Sequence, residues 1–254
     1  MRVDINADLG ERFGVYDLGD DEGLMDVITS ANIACGFHAG DYRTMAETVA
    51  LATEKGVKIG AHPGYQDLIG FGRRAVAMPA DEIHALTVYQ IGALDGFCRA
   101  HGTQIHHVKP HGALYNLAAV DEDAARAVVR AVSDVVPSAV LVGLAGSVLV
   151  NEGRASGLSV AEEVFADRTY TDEGQLTPRT KPNAVLTDPA QIKRQVMAMI
   201  EEGLVTSTGG RQIPVQADTI CFHGDGKEAT ALARTVRASL ESMGIRILPV
   251  GGRG

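Results

Sequence analysis

Histidine, lysine and carboxylate side chains gather in short polar segments, each of which follows an apolar run. They are Asn6-Ala7-Asp8-Leu9-Gly10-Glu11, Cys35-Gly36-Phe37-His38-Ala39-Gly40-Asp41, Ala61-His62-Pro63-Gly64-Tyr65, Val108-Lys109-Pro110-His111-Gly112, Glu162-Glu163 with Phe165-Ala166-Asp167-Arg168, and Phe222-His223-Gly224-Asp225-Gly226. Four of the eight histidines, His38, His62, His111 and His223, take equivalent places in four of these segments. Each has a Gly or Pro within two residues, which lets backbone approach a ligand closely. Neutral imidazole and carboxylate serve as general acids and bases and as ligands for divalent metals. Asp8 with two of the histidines would make a two-histidine, one-carboxylate metal site. No HExxH or CxxC pattern supports one, and metal-free acid–base chemistry is an equal reading. Lys109 can stabilise a developing oxyanion by its charge. Glu163 can act as a base if its surroundings raise its pKa.

Each residue also has a plainer reading. A single polar residue after a strand is more often a turn former or a helix cap. Asp41 reads as an N-cap, and Asp8 and Asp225 can be caps too. His84 and His101 lie on or beside a helical pattern and read as surface groups. His106 and His107 lie within a strand, so one of them faces inward. Cys35 and Cys221 read as packing residues. Gly224-Asp225-Gly226-Lys227 is not a phosphate loop, because Glu228 stands where Ser or Thr is needed. No GxGxxG follows a candidate strand and there is no GxSxG elbow. The functional case therefore rests on the set.

The elements that would position this set alternate. Candidate strands are 2–6, 31–35, 57–61, 104–109, 139–144, 158–163, 218–222 and 245–250. Pro79 precedes a helical pattern of Ile83, Leu86, Ile91, Leu94 and Cys98 that stops at Gly102. Val128, Val129 and Val132 mark another helix before Pro137. Asp188-Pro189 reads as an N-cap with Pro at the first helical position, ahead of Ile192, Val196 and Met199 and a stop at Gly203. Leu232, Val236, Leu240 and Met243 precede Gly244. Strand–helix alternation means parallel strands with crossover helices, as a closed β/α barrel or an open sheet. In a barrel the C-terminal strand ends converge on one axis, so the four histidines favour the barrel. The irregular stretch 164–187 is long enough to be functional.

The chain has 254 residues, which suits one β/α-barrel domain over 1–254. A formal charge of −9 with no basic run argues against nucleic acid. Three scattered cysteines argue against a disulfide framework and fit a reducing compartment. MRVDIN reads as a strand rather than a signal peptide, and no apolar run reaches the roughly 18 residues of a membrane span. The expectation is a cytoplasmic protein.

Taken together, DINADLGE, SANIACGFHAGD, IGAHPGY, HVKPHGALYN, LVGLAGS, EEVFADRTY, the PR of 178–179 and CFHGDG resemble the LamB/YcsF family. The match runs in order from residue 4 to about 226. The resemblance implies a parallel β/α barrel of the glycoside hydrolase/deacetylase type, often a distorted seven-stranded form. It implies ATP-dependent hydrolysis of 5-oxo-L-proline (pyroglutamate) to L-glutamate. It also implies a working complex with two further proteins, the B and C subunits of a 5-oxoprolinase. A divalent metal such as Mg would accompany ATP. For that chemistry Asp8, His38, His62, Lys109, His111, Glu163 and His223 are the catalytic candidates. Asn6, Arg168 and Arg179 are the substrate-binding candidates, with Arg168 or Arg179 as bidentate partner of the substrate carboxylate. A metal-dependent carbohydrate or amide deacetylase of the same fold, and a non-catalytic regulatory protein of the same complex, are the alternatives.

Overall fold

The computed structural model describes residues 1–16, 19–222 and 227–251. In chain order the elements are β1 (Arg2–Leu9), α1 (Asp21–Met25), β2 (Ser30–Ala34), α2 (Tyr42–Lys55), β3 (Lys58–His62), α3 (Ala80–Ala100), β4 (His107–Val108), α4 (Gly112–Ala118), α5 (Glu122–Val135), β5 (Val140–Leu144), α6 (Val148–Ala155), β6 (Val160–Phe165) and α7 (Pro189–Glu201). A hairpin of β7 (Leu204–Thr206) and β8 (Gln212–Pro214) follows, then β9 (Thr219–Phe222), α8 (Lys227–Ser242) and β10 (Arg246–Ile247).

The sheet closes. β1, β2, β3, β4, β5, β6 and β9 pair in parallel in that order, and β9 returns to β1 through Asp4↔Thr219 and Asn6↔Cys221. This is a seven-stranded parallel barrel with surrounding helices, the closed one of the two architectures that the alternation allows and the seven-stranded form that the resemblance implies. β10 supplements it, pairing with Arg2 and Val3 at the start of β1. Each candidate strand of the sequence has a counterpart. The β7–β8 hairpin does not, because Gly203 reads simply as the end of α7, whereas its backbone carbonyl accepts from Val215 and opens the ribbon.

β1 shows why the barrel forms. Val3, Ile5, Ala7 and Leu9 join the main apolar core, while Asp4, Asn6 and Asp8 point the other way into the barrel. A period of two places alternate residues on opposite faces of a strand. The outward residues meet helices whose apolar stripes are set by clear punctuation. Asp41 caps α2 through the Arg43 and Thr44 amides, and Asp188 caps α7 with Pro189 following.

The barrel interior is divided. At one end Val140, Val142, Ala161 and Val250 form a small apolar cluster. Above it runs a chain of polar groups. Asp4 accepts from Thr29 (2.5 Å), Ser30 (2.7 Å) and Thr219 (2.5 Å). The Asn6 amide donates to Thr219 (2.7 Å) and to Glu163 (3.0 Å). Its carbonyl oxygen accepts from Asn32 at 2.7 Å. Asn32 in turn accepts from His107 Nε2 at 2.9 Å. Of the adjacent pair, His107 thus faces inward. Gly60 makes room for it, since a Cβ there would lie 2.1 Å from the His107 ring.

Burial raises the Asp4 carboxyl from 3.8 to about 6, and its three hydroxyl donors offset only part of that. The folded state therefore holds this proton more tightly than the unfolded chain. Its contribution to stability is complete below about pH 4 and is lost as the pH rises through about 6. The shift corresponds to about 3 kcal/mol. Urea titrations at both ends of this range should show wild type losing about that much relative to Asp4→Asn. A pH-independent difference would mean that Asp4 does not titrate there.

Candidate functional site

The polar chain rises to Lys109, directly after β4. Its ammonium group lies 2.7 Å from Glu163 Oε1, 3.0 Å from Asp8 Oδ1, 3.2 Å from Asn6 Oδ1 and 3.2 Å from Cys221 Sγ. The residue is almost fully buried. Burial alone would lower its pKa, but Asp8 and Glu163 more than offset this and hold it well above the usual lysine range. Burial, which disfavours the thiolate, pushes the Cys221 thiol well above its usual range, so that sulfur stays protonated. Lys109 is a fixed positive charge. Its partners come from β1, β6 and β9, so the charge is held across the barrel.

Beside it stand three imidazoles. His62 ends β3, His111 follows Lys109 by two residues, and His38 lies in the turn after β2. The His38 and His111 rings stack at 3.7 Å, and His62 meets His111 edge-on at 4.8 Å. His62 Nδ1 donates to the Lys109 carbonyl (2.7 Å), and His111 Nε2 donates to the Phe71 carbonyl (2.8 Å). The inward nitrogens, His62 Nε2 and His111 Nδ1, face each other at 2.9 Å. Asp8 Oδ2 lies 3.2 Å from His62 Nε2. Glu11 Oε1 lies 3.2 Å from His38 Nε2 and 3.7 Å from His111 Nδ1. Burial first, then the neighbouring imidazoles, hold His38 and His111 well below the usual range, so both rings are neutral at pH 7. Glu11, His38, His62 and His111 bring ligand atoms within 4.8 Å of one another, a set that could hold a metal ion.

The loop 63–79 aims the Phe71 carbonyl. Phe71 adopts φ 54° and Gly72 φ 62°, and a side chain at Gly72 would lie 2.6 Å from His38 Cβ. The left-handed conformation costs a bulky residue about 1–2 kcal/mol. Asp67 steadies the bend, accepting from Arg74 and from the Gly70 amide while its own carbonyl accepts from Gly72.

These groups open onto a cavity of about 260 Å³. Asp8, His62, Lys109 and His111 line its inner end, Tyr115 and Phe165 its sides, and Arg73, Arg168 and Arg179 also border it. Arg168 and Arg179 come from the irregular stretch after β6. Arg168 binds two carbonyls of that stretch, Ala184 through Nε (3.1 Å) and Thr177 through Nη2 (2.6 Å). Burial first, then the charge of Arg179, pushes it down to about 10. Arg179 is half-buried and Arg73 exposed.

The sequence candidates thus fall into groups. Asp8, His62, Lys109, His111, Arg168 and Arg179 line the cavity. Asn6 and Glu163 lie behind Lys109, and His38 lies behind His111. His223 lies outside the described residues, as does most of the Gly224–Lys227 segment. Glu11, Phe71, Arg73, Tyr115 and Phe165 do not stand out as site residues in the sequence. Glu11 belongs to the polar segment after β1, and the GFGRR run carries Phe71 and Arg73, but Glu11 has no histidine beside it and GFGRR does not follow a strand directly. His84 pairs with Asp134 at 2.8 Å and His101 is exposed, so neither belongs to the site.

Removing Lys109 takes away the ammonium group that bridges Asp8 and Glu163. Lys109→Met should destabilise the fold by about 3–5 kcal/mol in urea at pH 7. Adding Glu163→Gln should restore part of that loss. Additive losses would show that the two side chains are not coupled.

The LamB/YcsF family model matches residues 3–253. The A subunit of 5-oxoprolinase from Staphylococcus carnosus is 53% identical over 252 residues, covering 99% of this chain and all of that one. The Bacillus subtilis protein of the same name is 51% identical over 250 residues, covering 98% and 97%. The crystal structure of a lactam utilization protein from Thermus thermophilus superposes with a TM-score of 0.90 at 45% identity, covering 98% of this chain and 99% of that one. No helix among the described residues is long and apolar enough to cross a membrane.

Proposed function

From the premise that this chain belongs to the LamB/YcsF family, we propose that it opens a small cyclic amide, 5-oxo-L-proline, to L-glutamate as one component of an ATP-coupled 5-oxoprolinase. The observation that carries this reading is the cavity. It is at the small end of ligand sites, with a fixed ammonium, a carboxylate and imidazoles at its inner end and guanidinium groups at its border. A compact substrate that bears both an amide carbonyl and a carboxylate complements that arrangement. The names borne by the relatives, the A subunit of 5-oxoprolinase and a lactam utilization protein, support the same substrate class and a multi-subunit enzyme.

A lactam carbonyl is a poor electrophile because nitrogen shares its lone pair with it, as in a peptide bond. Phosphorylation of the carbonyl oxygen by ATP, delivered as its Mg complex, would relieve that. The B and C subunits are the proposed partners in this step. Water then adds to the ring carbonyl carbon, the C–N bond breaks as the nitrogen takes up a proton to become the amino group, and a second water hydrolyses the resulting γ-glutamyl phosphate to glutamate and inorganic phosphate. Lys109 faces the negative charge that develops on oxygen and needs no reorganisation to do so. Asp8, reaching the cavity between Lys109 and His62, is placed to accept the proton of the attacking water. Glu163 and Asn6 act through Lys109, by fixing its position. Arg179 carries the substrate carboxylate, because Arg168 is anchored by two bonds to loop carbonyls whereas Arg179 is half-buried at the cavity border.

The test is glutamate release from 5-oxoproline by the chain alone and with its partner proteins, with and without ATP. Release only in the complete, ATP-containing mixture is the expected result, and no release there would overturn the proposal. Within that assay Arg179→Ala should raise KM about 10- to 100-fold with little change in kcat, as loss of a charge-assisted contact made equally in ground and transition states. An unchanged KM would remove Arg179 from substrate binding.

A further inference from the structure

We propose that Glu11, His38, His62 and His111 form a binding site for one divalent transition-metal ion of the zinc class. A neutral imidazole carries one N–H, and the hydrogen bond made by one nitrogen decides what the other can do. His62 Nδ1 faces the Lys109 carbonyl and His111 Nε2 faces the Phe71 carbonyl. A carbonyl only accepts, so each of these outward nitrogens carries a proton. His62 Nε2 and His111 Nδ1 face each other at 2.9 Å. Carboxylate oxygens lie around them, Asp8 Oδ2 on one side and Glu11 Oε1 on the other.

Ring nitrogens of His38, His62 and His111 and a carboxylate oxygen of Glu11 thus lie within 4.8 Å of one another, close enough to share one cation. The outward bonds are those that orient metal-ligating histidines, whose second nitrogen donates to a carbonyl or carboxylate. The backbone of Phe71 adopts a left-handed conformation in presenting its carbonyl to His111. In a tetrahedral site with metal–nitrogen bonds of about 2.0–2.1 Å, two ligand nitrogens lie about 3.3 Å apart. The two rings need to part by only a few tenths of an ångström. His38 Nε2 stands 3.2 Å from Glu11 Oε1, but its Nδ1 has no partner among the described residues, so it is the least prepared of the ligands. Imidazole-rich ligation suits zinc, cobalt or nickel and not magnesium, which prefers oxygen. The site borders the cavity through His62 and His111, where such an ion would act as a Lewis acid beside Lys109.

The inference uses the cavity of the lactam reading but not its substrate, and binding is measured without turnover. Failure of either therefore leaves the other standing. The full-length chain, stripped with chelator, is titrated with Zn2+ by calorimetry and with Co2+ by its visible absorption. One equivalent should bind, with Mg2+ unable to compete at equal concentration. His62→Ala and His111→Ala should weaken Co2+ binding by about 100-fold or more, and Glu11→Gln by about tenfold. Circular dichroism checks that each variant folds. Glu11 is partly exposed, so Glu11→Gln decides the matter if a histidine variant does not fold. Absence of stoichiometric binding, or binding that Glu11→Gln and His111→Ala leave unchanged, overturns the proposal. So does a nitrogen NMR spectrum of the zinc-titrated chain in which His62 is doubly protonated, since a proton shared with His111 and Asp8 would then take the place of the metal.

Discussion

A single buried ammonium group sets the terms for this structure. Lys109 sits inside a protein interior, where an isolated charge is very costly. It is stable there only because Asp8, Glu163 and Asn6 surround it at hydrogen-bonding distance. Those groups belong to β1 and β6, on either side of β9, where the barrel closes. The electrostatic requirement and the closed topology are therefore one constraint. In an open sheet of this order β1 and β6 would lie at opposite ends, so Asp8 and Glu163 could not both reach Lys109.

The remaining polar interior follows from that arrangement. Asn6 can hold Lys109 only if its amide nitrogen is satisfied, which Glu163 and Thr219 do. Thr219 in turn donates to Asp4, and Asn32 links Asn6 to His107. Each buried polar group passes its requirement to the next until the chain meets the apolar cluster at the far end of the barrel. A network of this kind is rigid because every member is held by at least one other, and it delivers Asp8 and Lys109 to the cavity in fixed orientation.

The histidine cluster is built on a different principle. Its rings are oriented by main-chain carbonyls, one from the residue after β4 and one from the loop 63–79. Phe71 and Gly72 both adopt positive φ to make this possible, and Gly72 has no side chain to strike His38. The framework charge is thus set by strands, while the imidazole orientation is set by a loop that bends sharply against the site.

Much of this was legible in the residues. The strand–helix alternation gave the parallel class, and the recurrence of His38, His62 and His111 after separate apolar runs pointed to a shared site. Local chemistry explains why: caps, glycine stops and strand periodicity act over a few residues. The partnerships were not legible, because they join positions far apart in the chain. Nothing near Glu163 announces that it lies behind Lys109 rather than on the cavity wall, and nothing near Arg168 shows that it binds carbonyls of its own loop. Glu11 gained its place only when β1 and β2 brought it against His38. The sequence by itself determined which residue types stand at the strand ends. The tertiary structure decided which of them touch, because hydrogen bonds and charge compensation depend on distances that only barrel closure sets.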